Sequence, residues 1–293
     1  MEQVVNGAVL CSIYVLFSLG LSLTWGILDK LNLAHGAVMM SAAFFAYLIT
    51  EHWDAPLAVL FAVGICGAGL LTLVFDVIVL GQISRSASGK QHNELRTLIA
   101  GIGVNAILVT IAQRHTIDSP FGIGHLDSHI YVLGGAKISV LQIWIIVLAI
   151  ALCIIIAVWT ERSQFGRGLR AIAHDAEIAE LMGIRTRMSS AVLMFVSGAL
   201  AGLAGMLLVM YLGALTPESG DSLLLKGFAI IILGAVGSIW GTLLGSAILA
   251  AAETIVVVQT SGTWVEAIAF GIILIVILVR PQGIFARGTG ERV

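Results

Sequence analysis

The amino-acid sequence predicts an all-α polytopic integral membrane protein: about eight or nine transmembrane helices, some broken or re-entrant, with one short helical segment kept in the cytoplasm. Three observations predict it. Hydrophobic residues make up 59% of the chain, charged residues only 11%, and the mean hydropathy is +1.04; a soluble domain carries about 25% charged residues. The apolar residues fall into nine runs, and 293 residues hold eight or nine spans at about 20 residues each, the length a helix needs to satisfy its own backbone across the hydrocarbon layer. Finally, one compact stretch, residues 160–187, is charged as nothing else in the chain is.

In chain order the runs are 4–28, 36–50, 55–80, 95–113, 138–159, 188–212, 224–238, 240–258 and 264–279. The first reads as a retained span, because Met1-Glu2-Gln3 lacks a basic n-region and the run has no evident cleavage site. Runs 36–50 and 224–238 are short. At 1.5 Å per residue each covers only about 22 Å, so both are read as broken or re-entrant helices. The basic residues set the orientation: Lys30, Arg85, Lys90, Arg96, Arg162, Arg167, Arg170, Arg185, Arg187, Arg280, Arg287 and Arg292 fall on one side of a nine-span chain, and only Arg114, Lys137 and Lys226 on the other. By the positive-inside rule the charged island and the C-terminal tail are cytoplasmic and the N-terminus faces out.

The island, TERSQFGRGLRAIAHDAEIAELMGIRTR, reads as two short helices. Asp175 is placed to cap the second, AEIAELM, and Gly183 to end it. Glu177 and Glu180 near its start, with Arg185 and Arg187 beyond its end, suit the helix dipole. Ala171, Ala173, Ala176, Ala179, Leu181 and Met182 offer small and apolar surface. A docking surface for a soluble partner is expected here, against the plainer reading of a solvated loop.

Within the spans, polar residues are costly unless they face a cavity or one another. Asn32 and His35 in LNLAHG either line a path through the membrane or cap and bond the following helix. Asn105 lines the path or ties helices together. Glu253 lies inside its run, whereas Asp76 and Glu266 sit near run ends, where water access is the simpler account. Gly198, Gly202, Gly237, Gly241 and Gly245, at four-residue spacing, read as packing faces. Cys11, Cys66 and Cys153 read as core residues, and the histidines, including His125 and His129, show no metal-ligand spacing. SASGKQ at 86–91 lacks the upstream glycine of a phosphate loop. No catalytic residue, metal or nucleic-acid partner is expected.

Four stretches carry a family resemblance. GRGLRAIAHDAEIAELMGI at 166–184 resembles the cytoplasmic coupling segment of ABC-importer permeases of the branched-chain amino acid type; GLSLTWGILDKLNLAHGAVMMSAAFFAY at 20–47, GFAIIILGAVGSIWGTLLGSAILAAAE at 227–253 and LVRPQGIFA at 278–286 resemble other signatures of that family. The stretch 81–96 and the loop 114–137 depart from it. The resemblance implies one permease domain over residues 1–293, in a bacterial inner membrane, carrying leucine, isoleucine and valine. It also implies a second related permease, two cytoplasmic ABC ATPases that bind ATP and Mg, and a periplasmic substrate-binding protein. No cofactor and no ATPase activity are then expected in this chain. ATPase coupling is assigned to Arg170, Asp175, Glu177, Glu180, Leu181 and Gly183, and the substrate path to Asn32, His35, Asn105 and Glu253. The same machinery importing urea, short amides or another small organic solute is the alternative. An ATP-independent secondary transporter is a more distant one, for which a run of coupled ionisable residues is expected, and a scaffold that only recruits partners would not call for glycine-broken helices.

Overall fold

The computed structural model describes residues 2–85, 90–124, 130–133 and 136–260, with 267, 271, 274 and 278 singly. The run at 264–279, the tail arginines, Glu266, His125 and His129 lie outside these residues, apart from those four single positions. Each of the first eight runs is a helix. In order they are α1 (Glu2–Leu28), α2 (His35–Thr50), α3 (Leu57–Phe75), α5 (Lys90–Thr116), α6 (Val140–Arg162), α9 (Thr186–Leu212), α10 (Ser219–Gly234) and α11 (Ile239–Thr260). The short helices are α4 (Gly81–Arg85), α7 (Gln164–His174) and α8 (Ala176–Leu181), and a π-helical turn at Asp76–Leu80 links α3 to α4.

Six of these stretches are long and apolar enough to cross a bilayer: Glu2–Leu28, Leu57–Ile83, His92–Thr116, Val140–Arg162, Thr186–Leu212 and Ile239–Gln259. The chain is thus a multi-pass, helical membrane protein. α2 and α10 have 16 residues each, about 24 Å, and stop short of a full crossing. A small departure from an all-α chain is the antiparallel hairpin of β1 (Ile130–Leu133) and β2 (Ala136–Ser139), pairing Tyr131 with Ile138. It is anchored to the start of α1, where the Lys137 amide donates to Glu2 Oε1 at 2.9 Å, and the following α6 adds a bond from Gln142 to Asn6 at 2.8 Å.

α1 and α9 form the hub; the most apolar window of α9 is 78% buried, whereas that of α5 is 11% buried. Lipid supplies no hydrophobic drive between helices, so backbones must approach closely to gain dispersion energy. The four-residue glycine spacings do this. A Cβ on Gly198 would strike Thr72 and the Ala68 carbonyl, and one on Gly202 would strike Ala68, so this face seats α9 on α3. Gly241 and Gly245 meet the carbonyls of Gly234 and Ile230, seating α11 on α10. Gly36 and Gly220 meet backbone to backbone, which sets the start of α10 against the start of α2. Ser197 adds a polar tie by donating to the Gly20 carbonyl at 2.8 Å.

Candidate functional site

At the end of the helices that carries the charged island, Ser163 ends α6 and caps α7 through its hydroxyl, which accepts from the Gly166 amide at 2.8 Å. Trp159 stacks on Phe165 across that corner, and Gly166 lies so close to the Thr160 carbonyl that no side chain fits. The underside of α7, Leu169 and Ile172, is buried. Arg170 donates its guanidinium to the same Thr160 carbonyl and so braces the segment against α6. Asp175 accepts from the Glu177 and Ile178 amides, both at 2.9 Å, and Gly183 ends the turn with φ +85°. Glu177 and Glu180 are exposed, Glu180 receiving a long bond from the Thr186 hydroxyl at 3.4 Å.

The apolar surface of this segment differs from the sequence expectation in one respect. Ala179 is buried beneath α8, so it belongs to the support, while Ile178 is 58% exposed beside Leu181 at 86% and Met182 at 79%. These three occupy positions i, i+3 and i+4, one face of one turn. Periodicity over 178, 181 and 182 would have found Ile178.

The four residues expected to line a path fall into three hydrogen-bonded groups. Asn32 and His35 are fully buried where α1 hands over to α2. Asn32 Oδ1 accepts from the Ala34 amide at 3.0 Å, closing a turn just before α2 rather than capping the helix, and His35 Nε2 lies 3.2 Å from the Phe17 carbonyl, with its ring 4.8 Å from that of Phe17. Asn105 donates to Asp221 Oδ1 at 3.0 Å. Glu253, buried, accepts from the Tyr14 hydroxyl at 2.6 Å and from Lys226 Nζ at 3.1 Å, and Lys226 also donates to Tyr14 at 3.0 Å.

Two of these partners change the sequence reading. Lys226, counted above among external charges, sits inside α10 and neutralises Glu253 between α1, α10 and α11. Asp76, expected at a watery span end, is buried on the π-helical turn and bonds Lys30 Nζ at 2.6 Å; the same ammonium donates to Ser190 at 3.1 Å in the first turns of α9. Neither partnership is visible in sequence, because Lys30 and Asp76 are 46 residues apart and Lys226 and Glu253 are 27 apart. Among the described residues, no group of three metal-binding side chains gathers.

A family model described as the branched-chain amino acid transport system / permease component matches residues 3–278. The chain belongs to that family. As a permease it aligns over its whole length with the high-affinity branched-chain amino acid transport system permease protein BraD of Pseudomonas aeruginosa, at 29% identity and covering 98% of that protein. LivH of Escherichia coli K12, which carries the same description, is also 29% identical over the whole of this chain and 97% of its own. The probable branched-chain amino acid permease LivH of Methanocaldococcus jannaschii is 27% identical over 97% of this chain and 92% of its own. Among solved structures, PsaBC from Streptococcus pneumoniae in complex with Fab is 17% identical with a TM-score of 0.50, over 96% of this permease and 93% of that chain, which is a likeness of fold alone.

Proposed function

We propose that this chain is the membrane-spanning subunit of an ATP-driven importer for leucine, isoleucine and valine in a bacterial inner membrane. Full-length similarity to permeases named for branched-chain amino acids carries the reading. Residues 1–293 act as one permease domain of eight or nine transmembrane helices, α2 and α10 being the broken or re-entrant ones, with residues 160–187 as the coupling segment. ATP and Mg are held by two cytoplasmic ATPases, a second related permease completes the path, and a periplasmic protein delivers substrate to the end bearing the hairpin.

The exposed Ile178, Leu181 and Met182 support docking, since a solvated loop gains nothing by holding three large apolar side chains in water. An ATPase groove that takes them pulls on α8, whose Asp175 and Gly183 ends and Arg170 brace transmit the motion to α6 and α9. From α9 the Ser190–Lys30–Asp76 contact carries it to the α1–α2 handover, where Asn32 and His35 shape the turn beside the path. Asn105 stands at the path, and Glu253 with Lys226 holds α10 to α1 and α11.

The test is uptake of labelled leucine, with urea in parallel, by cells making the whole transporter with wild-type permease or with Leu181→Asp. Loss of ATP-dependent leucine uptake at unchanged membrane abundance is expected. Undiminished uptake by the variant would refute the docking role, and uptake of urea in place of leucine would keep the machine and change its cargo.

A further inference from the structure

The starts of the two short helices meet near the centre of α5. Gly36 touches Gly220, the backbone of Leu33 lies against Gly101, and Asn105 bonds Asp221 in the first turn of α10. Asn105 lies near the middle of the apolar stretch His92–Thr116, so Asp221 is a carboxylate at mid-membrane depth. Such a charge is expensive in lipid and persists where it faces a path or a partner. Its hydrogen-bond partner, Asn105, is neutral, and Lys226, in the same helix, is engaged by Glu253 and Tyr14. The start of α10 favours a negative charge there. Asp221 and Asn105 are both only half-buried.

The chemistry of the pair is one-sided. A carboxylate that takes only one amide N–H keeps its negative charge and further acceptor capacity, which suits an ammonium and repels a carboxylate. Apolar side chains stand one turn away on the same faces: Leu225, 46% exposed, at i+4 from Asp221, and Ile102, 58% exposed, at i−3 from Asn105. We propose that the Asp221 carboxylate, oriented by the Asn105 amide N–H, forms a mid-membrane contact for the α-ammonium of the substrate, with Leu225 and Ile102 bordering its aliphatic side chain. The inference rests on the amino-acid reading above. It makes Asp221 a specificity-determining residue that admits amino acids and disfavours uncharged amides or simple carboxylates of the same shape.

The experiment uses the complete transporter in proteoliposomes, with wild-type permease, Asp221→Asn and Asp221→Glu, and reads labelled leucine uptake with unlabelled leucine or 4-methylpentanoate, its desamino analogue, as competitor. Expected are strong competition by leucine alone in the wild type, and a KM for leucine raised about 10- to 100-fold in Asp221→Asn, the size of one lost charge-assisted hydrogen bond. Leucine should then lose its advantage over the analogue, and Asp221→Glu should restore it. A purely structural carboxylate would lower the maximal rate with membrane abundance and leave the preference intact, and that result, or a wild-type KM in Asp221→Asn, would overturn the proposal. Failure of the wild type to take up leucine at all would instead overturn the amino-acid reading, and this inference with it.

Discussion

Glu253 and Lys226 show how much one pairing matters inside a membrane. Both are enclosed by α1, α10 and α11 with Tyr14 bonding to each, and their side chains are 2% and 16% exposed. Removing one partner leaves the other as an uncompensated charge, a cost of about 3–5 kcal/mol, whereas replacing both by apolar residues is often neutral. Glu253→Ala is therefore expected to lower the thermal midpoint of the detergent-solubilised protein sharply, and Glu253→Leu combined with Lys226→Met to recover most of it. A double variant as unstable as the single would contradict this account. Gly36 is a second such position, because a Cβ there would collide with the Gly220 carbonyl. Gly36→Val should cost about 1–3 kcal/mol or more, while Gly103→Ala, with open space around it, should be near neutral in the same unfolding assay.

Among the elements, α8 separates its supporting residues from its outward face. Its support comes from Asp175, Ala179 and Gly183, and its outward face from Ile178, Leu181 and Met182. Leu181→Asp should leave thermal stability unchanged and abolish ATP-driven uptake; Asp175→Ala removes a cap worth about 1 kcal/mol and should weaken both. At the opposite end of the helices, Glu51 accepts from His115 at 2.9 Å and from the Tyr47 hydroxyl at 2.8 Å, and these hydrogen bonds hold its carboxyl below its ordinary pKa. A lowered carboxyl pKa stabilises the fold above the unfolded-state value, and the effect fades as pH falls through the lowered one. The small gap in thermal midpoint between wild type and Glu51→Ala near neutral pH should close in acid. A gap that widens in acid would show the sign to be wrong.

At the level of the whole molecule, Lys30 joins three elements, the α1–α2 connection, the π-helical turn through Asp76, and α9 through Ser190. Because α9 leads directly from the segment proposed to dock the ATPase, Lys30→Met with Asp76→Leu is expected to leave a folded permease in which ATP hydrolysis proceeds and leucine transport falls at least about tenfold, a coupling loss of about 1.4 kcal/mol. Transport at the wild-type ratio of leucine carried to ATP hydrolysed would remove this contact from the mechanism.

The sequence by itself determined the membrane class, the position of every described apolar helix, the shortness of α2 and α10, and the Asp175 and Gly183 ends of α8, because hydropathy, length and capping are local properties. Asn32, His35, Asn105 and Glu253 were legible as polar residues at depth for the same reason. Only the tertiary structure decided which of them have which partners. Lys226 joined Glu253, Lys30 joined Asp76, and Asp221 joined Asn105 across 27, 46 and 116 residues. It also turned Ala179 inward and Ile178 outward. Such pairings depend on how helices cross, and crossing is set by backbone contacts such as Gly36 on Gly220, between residues far apart in the chain.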